Sequence, residues 1–599
     1  MDLILPKKML NQAKTRATYY GHYVSASEIT GSATQVSDLL QKLAVLKKDD
    51  VLRQVAHLLQ LLVLYPHRPA ELDGKLLPRY LTDEQRLQVA NYLQREPGGI
   101  VFHKQGLWQL LQFAATSCSD SVASIDEAKL RLEIGLCALL SNDLIDDDNW
   151  PADANEDESK LDDAITTALL PTREIGSSHQ DVLDLYRFKT LWFDLPQTED
   201  FRRRVKPLKC GTNWHEAFAS AQGLELEHFA TICAICVSFF MPDQSNTNPK
   251  RMDLDSYFGH GTFRAIADSV FALIAQTTDE LARSLINEPR QSWSRDFTAI
   301  KKRPLLWVEG GYLVCAEFSF LVELLRTGIY YYLVAAYGQH ASSFQQCFGY
   351  AFELYVEDKL AGIAHPGTVL VRELYPSPNF HGTKDEICDF LIDWPNVAVL
   401  AECKASLLTA KQKYSGDRGV LLKGIDDQFV GKNTNGKRKG VTQLAHSINR
   451  LIAGEKASLS GDDVTPDPAK PIIPMLIAYD PTVGYHSVRG RLQRKLDAVL
   501  SPAAQQSGRV LPLVILTIDE LERLQALSNA APARGILLNY SRDIESGNST
   551  QLGSFNHYLW DQFPDARVAH DSSMRNDCHR LMQQVEASFR AAADCDDDA

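Results

Sequence analysis

Apolar residues recur every three or four positions along the first part of the chain. Val36, Leu39, Leu40, Leu43 and Leu46 follow a 3.6-residue period, and Leu52, Val55, Leu59 and Leu62 resume it after Asp49-Asp50. Two helices are expected, the second ended by Pro66. Leu87, Val89, Ala90 and Leu93 predict another, with Thr82 or Asp83 as its N-cap. A second helical block is expected over 166–300, where Phe263, Ile266, Val270, Leu273 and Ile274 mark one amphipathic helix. Pro304–Val308 and Tyr312–Val314 then flank Glu309-Gly310-Gly311. Glycines permit the positive φ of a tight turn, so this reads as a hairpin, followed by a helix from Phe318 to near Val334.

Beyond residue 345 the pattern changes. Phe348–Leu360 reads as a helix. Thr368–Tyr375, Glu386–Ile392 and Val397–Ala405 read as strands, the last two joined by Asp393-Trp394-Pro395-Asn396, with Asp393 a turn residue. Thr442–Ala453 is a helix, and Pro471–Tyr479 and Val510–Ile518 are apolar enough to be buried strands. The chain divides into a helical domain over 1–141, an acidic linker over 142–165, a helical domain over 166–300, a hairpin and connecting helix over 301–344, an α/β domain over 345–530, and a C-terminal helical extension with an acidic tail over 531–599. The fold class is multidomain: a largely α-helical N-terminal region followed by an α/β core with a mixed central sheet.

Composition adds limits. With 599 residues and 45% apolar content, core burial is not in doubt. The net charge of −14 argues against a protein that coats DNA, but not against an enzyme with a local basic patch. Eleven cysteines without regular spacing imply reduced thiols and a cytoplasmic location. Met1–Lys8 lacks the charged-then-apolar order of a signal peptide. Ala230–Met241 and Gly328–Ala336 are too short to span a bilayer and read as buried helix, so no membrane partner is expected.

Several metal-like clusters dissolve on inspection. The acids from Asp143 to Glu158 lack the alternate ligands, central glycine and final glutamate of a calcium loop, which leaves a solvated linker. Cys233 and Cys236, with Cys210, His215 and His228 upstream, lie in an apolar run and read as core thiols rather than zinc ligands. His557, His570, Cys578 and His579 fit no zinc template. No Gly-x-x-x-x-Gly-Lys-Ser/Thr pattern provides for a nucleotide-driven motor.

The informative charges sit inside apolar strands. Asp389 lies between Ile387 and Phe390-Leu391-Ile392, and Glu402 and Lys404 end the run that begins at Val397. Charges so embedded are costly unless paired or metal-bound. If residue 393 faces 396, Asp389 faces Leu400, and Asp389, Glu402 and Lys404 share one face of the hairpin. A slip of one residue would undo this. Magnesium takes a few carboxylate oxygens, and bound there it can generate hydroxide and orient a phosphodiester. A nearby lysine can position or deprotonate the water, or neutralise developing charge. Glu353, on the preceding helix, would add a carboxylate, and Gln443, at the start of the following helix, a hydrogen bond. Asp385 and Glu386 read as strand-edge solvation.

Asp389 followed by Ala401-Glu402-Cys403-Lys404 resembles the PD-(D/E)xK nuclease superfamily, with Glu353 in Gly349-Tyr350-Ala351-Phe352-Glu353 and Gln443 at its commoner accessory positions. The likeness covers roughly 345–480 and departs from the pattern at Cys388, which stands where the motif has proline. It implies a restriction-endonuclease-like core and Mg²⁺-dependent cleavage, with Mn²⁺ as a substitute. Asp389, Glu402 and Glu353 would be metal ligands, Lys404 the catalytic lysine, and Gln443 a supporting residue. Chains of this build also resemble phage-defence or restriction effectors. The implied partner is DNA or, since chemistry at the phosphate does not choose the sugar, RNA, together with a second copy of the chain or a partner protein of the same system. The alternative is a non-catalytic scaffold. Between strand and helix, Lys432, Lys437, Arg438 and Lys439 form a basic loop suited to backbone phosphates. Arg202–Arg204 and Lys301–Arg303 are further basic clusters.

Overall fold

The computed structural model describes residues 3–5, 20–32, 34–65, 69–145, 159–160, 162–164, 166–167, 187–208, 213–242, 248–259, 261–286, 296–364, 374–431, 440–459, 462–464, 467, 470–528, 531–546 and 554–563. The chain is mostly helical with several small sheets. The basic loop residues Lys432, Lys437, Arg438 and Lys439, most of the acidic stretch, the tail, and Cys210, His570, Cys578 and His579 lie outside the described residues.

The periodic segments near the start form α1 (Val36–Ala44) and α2 (Lys48–Leu64). Asp49 and Asp50 do not break the helix; they occupy the first turn of α2, where acids favour the positive end of the helix dipole. In α3 (Asp83–Arg95), Thr82 is the N-cap, accepting from Gln85 N–H at 3.3 Å while the Gln85 side chain caps back. Cys233 and Cys236 lie fully buried as free thiols on α4 (Leu226–Phe240), and α5 (Thr262–Ile274) buries Val270 and Ile274. The hairpin forms as β1 (Leu305–Val308) and β2 (Tyr312–Cys315), turned by Gly310 and Gly311 at φ 82° and 76°.

The hairpin lies between two cores. Leu306 and Val314 join the core of the first helices, while Leu305, Leu313 and Cys315 join a larger one. That larger core runs from Phe188 through α6 (Ala341–Ala364) to one face of a five-stranded sheet. From Phe318 to Ala364 the helices follow one another with almost no break. Among the described residues this run alone is a single continuous stretch apolar and long enough to cross a membrane, and 61% of its most apolar window is buried inside the protein. It contains the short apolar run Gly328–Ala336, and no unbroken run of apolar residues in it reaches the length of a bilayer span.

The sheet consists of β3 (Leu374–Pro376), β4 (Phe390–Trp394), β5 (Val397–Lys404), β6 (Ile472–Ala478) and β7 (Val514–Thr517), in the order β7-β6-β5-β4-β3. The pairs β4–β5 and β3–β4 are antiparallel, and β5–β6 and β6–β7 are parallel. α6 covers one face and α7 (Gly440–Ile452) the other. Every residue of β6 is buried, as expected of a parallel strand covered on both faces. Pro474 in its middle lacks a ladder donor. It stands where the register against the neighbouring segment steps from Ile472↔Val510 to Met475↔Val514, so the missing N–H falls at a break in pairing.

The acidic stretch is not wholly solvated at its C-terminal end. Asp162 and Asp163 are buried, with Asp162 2.8 Å from Arg494 and Asp163 3.1 Å from Arg491. Buried carboxylates need such partners, and the Arg-rich helix His486–Asp497 provides them. At the other end, Asn142 donates to the carbonyls of Val24 and Val101, closing a helix rather than opening a linker.

Candidate active site

β4 and β5 pair Trp394 with Val397, leaving the two-residue turn Pro395-Asn396. Asp393 is therefore a strand residue, paired with Lys470, and not part of the turn. The register differs from the expected one by two positions, not one. Faces repeat every second residue, so the expected grouping survives, and by extension Asp389 opposes Glu402 rather than Leu400.

Asp389 is not itself in the strand. The ladder ends at the Phe390–Ala401 pair, and the Asp389 side chain takes over the next free amide, with Oδ2 accepting Cys403 N–H at 2.6 Å. Its own carbonyl accepts Ser377 N–H at 2.8 Å. The segment is also held from the α7 side, where Ser447 Oγ donates to the Ile387 carbonyl.

Glu402 is fully buried. Lys404 Nζ donates to Glu402 Oε2 at 3.0 Å and to the Cys403 carbonyl at 2.8 Å. Glu402 Oε1 is buried and has no hydrogen-bond partner among the described residues. Burial, and then the charge of Asp389, pushes the Glu402 carboxyl up to about 8 against the pull of Lys404. Glu353 on α6 is likewise pushed up to about 8 by burial and by Asp389. Burial would lower Lys404, but Glu402 and Asp389 outweigh it and raise it. The lysine therefore stays an ammonium, suited to stabilising negative charge and not to taking a proton.

Glu353 turns towards Arg204, whose Nη1 lies 3.6 Å from it, and Arg204 also reaches Glu357 at 3.0 Å. Gln443 sits half-buried in the first turn of α7, four residues before Ser447 and on the same helix side, and makes no hydrogen bond to the acids. Two neighbours escaped the sequence. Glu386 is exposed, yet partial loss of solvent around its carboxyl and the charge of Asp389 raise it, so it belongs to this electrostatic group and not only to the strand edge. Arg204 comes from the remote helix Glu199–Val205, and no local pattern ties it to Glu353. Its neighbours Arg203 and Arg202 are engaged with Asp200 and Gln197.

Among the described residues, no three His, Cys, Asp or Glu side chains stand close enough to hold a metal ion, so Glu353 is not gathered into a ligand set with Asp389 and Glu402. Two hard carboxylates remain, one with an open, enclosed oxygen. That donor pair fits magnesium, which binds through one or two carboxylates and keeps its waters. No family model, curated protein or solved structure matches the chain.

Proposed function

We propose that this chain is a Mg²⁺-dependent nuclease of the PD-(D/E)xK kind that hydrolyses phosphodiester bonds of DNA, its α6-to-β7 region serving as a restriction-endonuclease-like core. One observation carries the reading: Asp389, Glu402 and Lys404 meet at the end of the β4–β5 pair, with Glu402 Oε1 enclosed and unpartnered among the described residues. Asp389 and Glu402 would hold the metal. A bound Mg²⁺ supplies a Lewis acid and a water of lowered pKa. Lys404, held charged, offsets the charge that develops on the phosphorus oxygens. Asp389, fixed by the Cys403 amide, keeps its second oxygen for binding. Glu353 and Arg204 border the site, and Arg204 can meet a neighbouring phosphate.

The test uses purified protein with supercoiled plasmid, linear DNA and RNA, in Mg²⁺ or Mn²⁺, with and without EDTA. Cleavage that EDTA abolishes is expected, falling on the order of a hundredfold in E402A and in K404A. Cleavage that survives both substitutions would sink the site. The missing third ligand among the described residues favours a second reading, a non-catalytic platform. Absence of cleavage on every substrate would support it.

A further inference from the structure

Four positions beyond Lys404, Leu408 walls a cavity of about 430 Å³ that is lined by none of Glu353, Glu386, Asp389 and Glu402. Its volume falls within the range of small-molecule sites. Leu273, Leu324 and Leu408 give it an apolar body, and Tyr331, Tyr332 and Tyr414 bring three aromatic rings to its wall. Tyr331 is tied to this wall, its hydroxyl donating to the Leu408 carbonyl at 3.2 Å.

The charges at the cavity are unequal. Lys301, Lys302, Arg303 and Lys413 line it against one carboxylate, Glu323. Lys413 is engaged with buried Asp480 at 3.5 Å, and Lys301 with Glu323 at 3.7 Å. Arg303 is held only loosely, 3.8 Å from Glu280, with both side chains 43% exposed. Lys302 is exposed and makes no ion pair among the described residues. Positive charge is therefore left over at the rim of an aromatic, apolar hollow.

We propose that this cavity is a binding site for an aromatic anion, a flat ring system carrying one phosphate-, sulfonate- or carboxylate-type group. The rings of the ligand would lie among the tyrosines, and its charge would meet Lys302 and Arg303. The inference does not depend on the nuclease reading.

The probe is 8-anilinonaphthalene-1-sulfonate, titrated into the full chain by fluorescence, with uncharged N-phenyl-1-naphthylamine as control. Two variants accompany it. K302E reverses an exposed charge and leaves the core untouched. G328L fills the hollow: Gly328 lines it at φ −58°, and an added Cβ would meet nothing nearer than 3.5 Å. Saturable binding of one sulfonate per chain is expected, about tenfold weaker for the uncharged analogue and for K302E, and lost in G328L. Hydrogen exchange should slow over 298–303, 324–335 and 408–414. Equal binding of the uncharged analogue, unchanged binding in K302E, protection elsewhere, or no saturable binding would each overturn the proposal. Should G328L lose its fold by circular dichroism, K302E and the exchange pattern decide.

Discussion

Glu402 has a fully enclosed carboxyl whose only hydrogen bond among the described residues comes from Lys404. Burial and the nearby Asp389 lift it from 4.5 to about 8, so the folded value exceeds the unfolded one. Stability from the protonated form is therefore full below about pH 4.5 and drains away as pH rises through about 8. In EDTA, E402Q should melt with the wild type near the lower value and above it near the upper one, the gap widening between. Thermal unfolding across that range checks this, and a constant gap would mean that Glu402 ionises normally. A cation beside Asp389 and Glu402 reverses the balance. Mg²⁺ should thus bind more tightly as pH rises towards about 8 and release protons as it binds. Calorimetry in two buffers of different ionisation enthalpy counts those protons, and zero release would remove Glu402 from the ligands. These acids were legible because charges stood inside apolar runs. Arg204 was not, because only tertiary folding brings it to Glu353.

Elements set where those side chains can point. Alternation along β5 was enough to group Glu402 with Lys404, and an even error in register left Asp389 on their side. The sequence could not show that β4 begins only at Phe390, where the ladder stops because the next free amide of β5, Cys403 N–H, is met by the Asp389 side chain and not by a backbone carbonyl. Nor did it show that α7 begins at Gly440, two residues earlier than its apolar pattern. Gly440 sits at φ +55°, and a Cβ there would overlap the Phe429 carbonyl oxygen. Both the left-handed backbone and the overlap penalise alanine. G440A should therefore cost at least roughly 1–3 kcal/mol, read as a lower denaturant midpoint. Cleavage should fall with it, because α7 also holds Ile387 next to the site. An unchanged midpoint would show that the loop ahead of α7 relaxes freely.

At the scale of the molecule, periodicity distinguishes the helical part from the α/β part, yet the hydrophobic core ignores that division. Phe188, Trp192 and Trp214 share one core with Phe348, Phe352, Ile392 and Ile477. A buried charge network crosses the same divide. Arg187 Nε donates to Glu522 Oε1 at 2.7 Å and its Nη2 to Glu522 Oε2 at 2.9 Å, and it also reaches Asp519. Arg326 Nη2 meets Asp519 Oδ2 at 2.9 Å. Both carboxylates lie on α8 (Ile518–Leu527), inside the α/β segment, whereas both arginines lie outside it. Long-range pairs of this kind leave no trace in periodicity or spacing. Residues 345–530 produced alone would keep Asp519 and Glu522 and lose both arginines. Leaving one buried charge unpaired already costs about 3–5 kcal/mol, and the stripped face of α6 would expose Phe348, whose ring packs on Trp192, Trp214 and Tyr330, to water. The net stability of a domain is only about 5–15 kcal/mol, so the loss is comparable with the whole. The isolated segment should therefore be insoluble, or soluble but readily proteolysed, and without cleavage activity. Limited proteolysis and amide dispersion by NMR read the outcome directly. A well-dispersed, protease-resistant 345–530 would mean that the α/β part folds by itself and that the helical layers are an addition to it, not half of its core.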